Sequence, residues 1–535
     1  MSSFKNPILT GCHPDPSICR VGDDYYLVTS SFHYYPGIPI FHSRDLVHWR
    51  QIGHMLDRPE QVNFEGIEPS GGVFAPTLRY HEGVFYLVTT IVSGGGNVVM
   101  TATDPAGPWS NPIPIKGAPG IDPSFFFDDD GRCYITGNGD PEVSLYDGHH
   151  TIWLAELDTK EWKVLNPPKV IVNGGSDIRQ KPIWIEGPHI YKIDGLYYLI
   201  AAEGGTAEWH SVVAFRSSNV WGPYEPCPAN PISTNRDQPE DTLNPITCTG
   251  HADLVLTQNG EWWMVMLGSR PYAPFTENHY NIGRETFLVP LTWSDGWPVA
   301  GDGRIHHTYT APNLPATPQG FDYAAYNVHF ADEFDAPQLR PEWNTIRTSC
   351  RDWYSLTERP GYLRIRPQED EIYSLGNPGF VGVRQRNLNF TAETTLEYLQ
   401  GSLNSGAGMT VLQNARTFFA MESRLDRGHR VLRLLRKATT DLSEPETLLQ
   451  VPLSGDKLSL RIAARGAYYD FFYREDEGDW INLAAGQDGR ILSTRTAGGF
   501  VGVYVGLYAT SRDAQEDGGI ADFASFEYRG EDGVN

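Results

Sequence analysis

A pattern repeated five times in the N-terminal half of the chain sets the strongest limit on what it can fold into. Each copy opens on a head residue, Asp15, Phe74, Asp122, Glu186 or His251, and runs through a short apolar stretch to a tight turn. Phe74 to Gly83, Asp122 to Gly131, Glu186 to Gly195 and His251 to Gly260 are nine-residue steps, and Asp15 to the turn residue Asp23 is an eight-residue step. Three residues past each turn stands an aromatic: Tyr26, Tyr86, Tyr134, Tyr198 or Trp263. Copies about 48 to 65 residues apart, with two strands visible in each, are the signature of a propeller whose blades lay their innermost strands against a central axis. The heads would then meet around that axis as neighbours in one polar pocket.

A second pattern keeps the same phase. Ser43–Trp49, Thr103–Trp109 and Ser218–Tyr224 each place an aromatic six residues after a hydroxyl residue, and Glu156–Trp162 is a weaker copy. All four fall where an outer blade strand should begin. Asn281–Trp293 offers one more strand, expected to close the ring against the first blade. The segment Tyr309–Asp322, rich in Pro and small residues, reads as a linker. Beyond it, period-two runs recur at Tyr362–Arg366, Phe380–Arg384, Thr394–Tyr398, Phe418–Ser423, Val431–Leu435, Leu458–Ile462, Tyr468–Tyr473 and Phe500–Tyr508, which argue a β-sandwich. The expected fold is all-β: a five-bladed β-propeller over residues 1–315, then a jelly-roll-like β-sandwich over 316–535. A chain of 535 residues is too long for one core, and 54 Gly with 39 Pro suit many short strands joined by turns.

The formal charge of -24 opposes binding to nucleic acid or to an acidic membrane surface and favours a neutral substrate. No run of about 18 apolar residues occurs, and no apolar stretch of signal-peptide length follows Met1–Pro7. A soluble, cytoplasmic protein is expected. Its six cysteines lack CxxC spacing and read as reduced thiols. The acidic clusters Glu369–Glu371 and Glu475–Glu477 read as solvated loops. Asp128-Asp129-Asp130-Gly131 lacks the ligand alternation of an EF-hand and reads as a hairpin turn.

Three of the five heads are carboxylates. Taken singly, Asp15-Pro16, Asp122-Pro123 and Glu186-Gly187-Pro188 look like turn formers, but turn formation gives no reason for acids to fall three times on one inward slot. Three carboxylates in a partly dry pocket cannot all ionise cheaply, so at least one pKa must rise. That supplies an acid and a base together, the pair needed to hydrolyse a glycosidic bond.

The strings HPDPSICRVGDDYYLVTSSF, IDPSFFFDDDG, EGPHIYK, GHADLV and GRETFLVPL resemble those of the inverting glycoside hydrolases of family 43, in particular the two-domain β-xylosidase/α-L-arabinofuranosidase branch. The resemblance implies Asp15 as general base, Glu186 as general acid, and Asp122 as the carboxylate that orients the acid and raises its pKa. It further implies a sugar-contacting Arg284, a terminal-sugar pocket lined by Phe32, Phe74, Ala75, Thr206 and His251, and a sandwich that packs near that pocket as part of its wall, with Phe500–Tyr508 nearby. At the second head this branch often carries Trp, where Phe74 stands here, which weakens any assignment of the sugar. Trp209 is read as either an aglycone platform or core. No cofactor is required; the resemblance leaves open a divalent cation such as calcium on the axis, with His251 as its ligand. The implied substrate is a pentose-containing oligosaccharide: short β-1,4-xylo-oligosaccharides losing xylose from the non-reducing end, or alternatively α-L-arabinofuranosides. A non-catalytic carbohydrate-binding protein stands as the remote alternative, a retaining fructosidase lacks its NDPNG motif here, and a homo-oligomer stays open.

Overall fold

The computed structural model describes residues 2–239, 241–272, 277–315, 327–348, 352–399, 404–514 and 519–532. Five antiparallel sheets follow in chain order, with innermost strands Ser17–Val21, Thr77–His81, Ile121–Phe127, Glu186–Ile193 and Thr247–Leu256. Each innermost strand touches the next, and the fifth returns to the first. This cyclic contact makes the five-bladed propeller that the repeat predicts.

The repeated residues have repeated jobs. His81 pairs Val84 and Ile193 pairs Leu196, leaving two-residue turns, Glu82-Gly83 and Asp194-Gly195, in which all four residues have positive φ. That is the geometry of a turn whose twist matches its strands, and Gly supplies it at little cost. The aromatics past the turns pack on the following blade: Tyr26 on Phe85, Tyr86 on Phe127, Tyr134 on Trp221 and Tyr198 on Trp293. Trp263 of the fifth blade meets Phe4 instead. The second pattern is the corner between third and outer strands, where Trp49 Nε1 donates to Leu46 O, Trp109 Nε1 to Pro105 O and Tyr224 OH to Val220 O.

Ring closure differs from expectation. Glu285–Ser294 is the third strand of the fifth blade, paired with Trp262–Ser269 and Trp297–Ala300. The seam is made by the N-terminal residues: Leu9 bridges Thr286, Ser3–Lys5 pairs Thr308–Thr310, and the Asn6 amide exchanges two hydrogen bonds of 2.9 Å with the Leu288 main chain. Asn281–Trp293 follows a second strand just as in the other blades, so it completes its own sheet.

The C-terminal region is a sandwich. One sheet runs through Gly379–Arg384, Tyr504–Ser511, Ser405–Asn414, Thr417–Asp426, His429–Ala438 and Glu446–Pro452; the other centres on Ile520–Gly530, Phe390–Leu399, Leu458–Arg465 and Tyr468–Glu475. Val381, Met409, Phe419, Phe471, Val505 and Phe523 belong to the core between them. Ser405–Asn414 escaped the period-two reading because all ten of its residues are buried, which removes the alternation. The Phe500–Tyr508 run becomes a strand only from Tyr504. Glu371 is no solvated loop residue: its side chain is 19% exposed, and burial, helped by Glu422, pushes its carboxyl up to about 7.

The two domains are sewn together. Thr345–Ile346 pairs with Tyr34–Tyr35 of the first blade, and the fully buried Arg347 donates from Nε to Ile67 O at 2.7 Å. A shared apolar cluster joins Phe32 and Tyr34 to Phe380, Leu412, Phe418 and Tyr504. The end of the expected linker and the 315/316 boundary fall at or within residues 316–326, outside the described residues, as does Cys350. The other five cysteines are buried and free. No helix among the described residues is long and apolar enough to cross a membrane.

Candidate active site

At four of the five heads the backbone breaks from regular strand geometry where it meets the axis. Asp15, Asp122 and His251 have φ of 55°, 54° and 50°, and after Glu186 the positive φ passes to Gly187 at 55°. Pairing slips between Ile121 and Ser124, between Glu186 and His189, and between Gly250 and Asp253. Such bulges re-aim a side chain, and each non-glycine residue held there costs on the order of 1–3 kcal/mol. The cost recurs at the same register in three blades. Gly187 has a further reason to be glycine, since a Cβ there would lie 2.9 Å from the His251 ring.

All nine residues expected at the site line one cavity of about 340 Å³. Asp15, Asp122, Glu186, Phe74 and His251 arrive from the five blades. Asp15 is gripped: Ser30 Oγ donates to Oδ2 at 2.6 Å, Arg284 Nη1 to Oδ1 at 3.1 Å, and His251 Nδ1 stands 3.7 Å from Oδ1. Arg284 also donates to Thr206 Oγ1 at 2.9 Å and, through Nη2, to the main-chain oxygen of Phe500 at 3.2 Å. Phe32, Phe74 and Phe500 form a three-ring cage with centroids 5.8 to 6.1 Å apart, and the guanidinium sits 5.8 Å from Phe32 and 5.6 Å from Phe500. Ala75 is buried beside the cage and leaves room for a ligand.

Electrostatics separate the carboxyls. Burial alone would raise Asp15, but the Arg284 guanidinium, then His251 and the Ser30 hydroxyl, overcome it and hold the carboxyl below its ordinary value. Glu186 goes the other way, well above the ordinary range, through burial first and then the negative charges of Asp122 and Asp15. Asp122 is raised by burial and by Asp15, opposed by His251 and by the Gly187 N–H that donates to its Oδ2 at 3.1 Å. One carboxylate stays ionised while another keeps its proton. Two titratable groups pushed apart in this way are an acid–base pair.

A second polar layer, not singled out from sequence, lies directly beyond the heads. Arg79 Nη1 donates to Asp253 Oδ2 at 2.8 Å, Nη2 lies 2.9 Å from His189 Nδ1, and Ser17 Oγ donates to Asp253 at 2.6 Å. Ser17, Ser124, His189 and Asp253 fall two or three residues past their heads, so the register that located the heads also marks these. Trp184, Gly205, Ile121 and Phe500 complete the lining; of these only Phe500 lay in a segment expected near the pocket. Trp209 is not core: it is 64% exposed, and it lies outside the cavity lining. Among the described residues no three His, Cys, Asp or Glu side chains converge to hold a metal ion. No step below runs through a metal ion.

A propeller pocket with two carboxyls in opposed electrostatic surroundings, facing a sugar-sized, aromatic-walled cavity, is the site of a glycosidase. The chain belongs to glycosyl hydrolase family 43: the family model matches residues 4–298, and a model described as a beta xylosidase C-terminal concanavalin A-like domain matches 331–529. It is 40% identical over 530 residues to a xylosidase/arabinosidase of Butyrivibrio fibrisolvens, covering 96% of this chain and 97% of that one. It is 39% identical over 535 residues to a non-reducing end alpha-L-arabinofuranosidase of Bacteroides ovatus, with 98% and 95% covered. Among solved structures, a xylan beta-1,4-xylosidase from Bacillus halodurans superimposes with a TM-score of 0.88 at 35% identity, over 98% of this chain and 100% of that one.

Proposed function

We propose that this enzyme is an exo-acting, inverting β-xylosidase that releases xylose from the non-reducing ends of short β-1,4-xylo-oligosaccharides. The observation that carries the reading is the contrast across one pocket between Asp15, held by Ser30 and Arg284, and Glu186, which faces other carboxylates. Glu186, kept protonated by burial and by Asp122, gives its proton to the departing glycosidic oxygen. Asp15, kept ionised by Arg284, takes a proton from the water that attacks the anomeric carbon from the opposite face. The C–O bond to the leaving sugar breaks as the C–O bond to water forms, so the product carries the inverted anomer. The Phe32–Phe74–Phe500 cage supplies apolar faces for one terminal pentose, and a wall contributed by the second domain favours exo cleavage.

Cleavage of α-L-arabinofuranosides is the second reading. It is supported by the activity named for the Bacteroides relative, while Phe74, a ring without an indole N–H, favours neither sugar. Xylobiose and an arabinose-decorated xylo-oligosaccharide incubated in parallel, with products followed by NMR, report sugar identity and anomer together. Release of xylose as its α anomer is expected. A dominant arabinose signal would reverse the order of the two readings, and retention of configuration would overturn the roles given to Asp15 and Glu186.

A further inference from the structure

We propose that Trp184 is the platform for the leaving-group sugar, a pyranose ring seated on the acid side of the pocket; this rests on the hydrolytic reading above. Water enters beside Asp15, so the departing sugar leaves past Glu186. Trp184 stands two residues before Glu186, lines the cavity, and still keeps 44% of its surface in solvent. A bulky residue with φ of 54° is a backbone outlier, so the surrounding structure must hold the indole where it is.

Two segments do so. Trp184 N–H donates to Gly148 O at 2.8 Å, and Gly204 N–H donates to Ile183 O at 2.8 Å. The His150 ring packs 4.5 Å from the indole. Gly205 closes in as well, since a Cβ there would sit 3.2 Å from Trp184 Cδ1. These two segments and Trp184's own carry Val143, Leu145, Ile183 and Trp209, which are between 37% and 69% exposed. Exposed apolar side chains on the segments that hold one indole point to a ligand surface rather than a core. An open indole face complements the C–H face of a sugar ring and offers nothing to a charged group. Xylobiose and an arabinosyl xylo-oligosaccharide both leave behind a xylopyranose, so the platform serves either pentose specificity.

The test compares full-length wild type with Trp184→Ala and Trp184→Phe on both oligosaccharides, with free xylose and free arabinose as competitive inhibitors at concentrations that fill the enclosed three-ring pocket before the open platform. On the cleaved oligosaccharide, Trp184→Ala should raise KM roughly five- to ten-fold with kcat little changed, the pattern of lost uniform binding. Inhibition by the free pentose should stay as in wild type, and Trp184→Phe should fall between. An unchanged KM overturns the platform. So does a loss of pentose inhibition in step with KM, which would place Trp184 in the terminal pocket or in general structure. If wild type cleaves neither oligosaccharide, the hydrolytic reading falls first and takes the platform with it.

Discussion

The two walls of the pocket carry the same functional group and treat it in opposite ways. On the base wall, Asp15 is buried and held by Ser30 and Arg284, with His251 close by. On the acid wall, Glu186 is half-buried, and among the described residues its carboxyl has no hydrogen-bond partner; its main electrostatic neighbours are other carboxylates. Cations and donors aimed at a buried carboxyl keep it ionised and fixed, whereas burial beside like charge keeps the proton on. The difference teaches that role follows from what faces the group.

The largest effects should come from removing the two groups. Asp15→Asn and Glu186→Gln should each lower kcat on xylobiose by about 10²–10⁴. On a nitrophenyl pentoside, whose leaving group needs little protonation, Glu186→Gln should recover most of its rate and Asp15→Asn none. Equal behaviour of the two variants across both substrates would erase the distinction between the walls.

Charge neighbours come next. Arg284→Met removes the cation that holds Asp15 low, so the Asp15 pKa rises. The base works only above its pKa, so the acidic limb of kcat/KM should move to higher pH, by about 1–3 units. Asp122→Asn acts on the other limb: without that negative charge the Glu186 pKa falls, and the alkaline limb should move to lower pH. A pH profile that leaves both limbs in place would contradict the electrostatic account. Phe500→Ala, which opens the cage but spares the main-chain oxygen on Arg284, should raise KM several-fold, within the 0.5–1.5 kcal/mol range of an aromatic pair.

The smallest effect sharpens the comparison from outside the pocket. Glu371 is also a shielded carboxyl with a raised pKa, yet no acid–base partner of the reaction stands near it. Glu371→Gln should leave kcat/KM unchanged and alter only the pH dependence of Tm. The raised group favours the protonated fold, so wild type loses stability as pH climbs from about 4.5, the ordinary value, to about 7. The variant should lack that decline.

The heads were legible because strand, turn and aromatic repeat in one register, so Asp15, Asp122 and Glu186 could be placed together before any geometry was known. His189 and Asp253 carry the same register one step further but have no repeated residue type to announce them, and Arg79, five residues past Phe74, lies off it. Trp184 and Phe500 stand outside the repeat altogether. Trp184 owes its position to a left-handed backbone before the strand, and Phe500 to the docking of a second domain. Ser405–Asn414 was hidden for another reason: a strand buried throughout has no polar face to reveal its period. Ring closure by Asn6 and Leu9 depended on contacts across more than 270 positions, for which spacing holds no signal.

Arg284 grasps the base with one nitrogen and the backbone of the neighbouring domain with the other. Turnover is thereby a gauge of seating: once mild heat or dilute denaturant lets the sandwich lift, the guanidinium loses its anchor and the water-activating group drifts toward silence. Inactivation should thus precede melting, with every blade still intact.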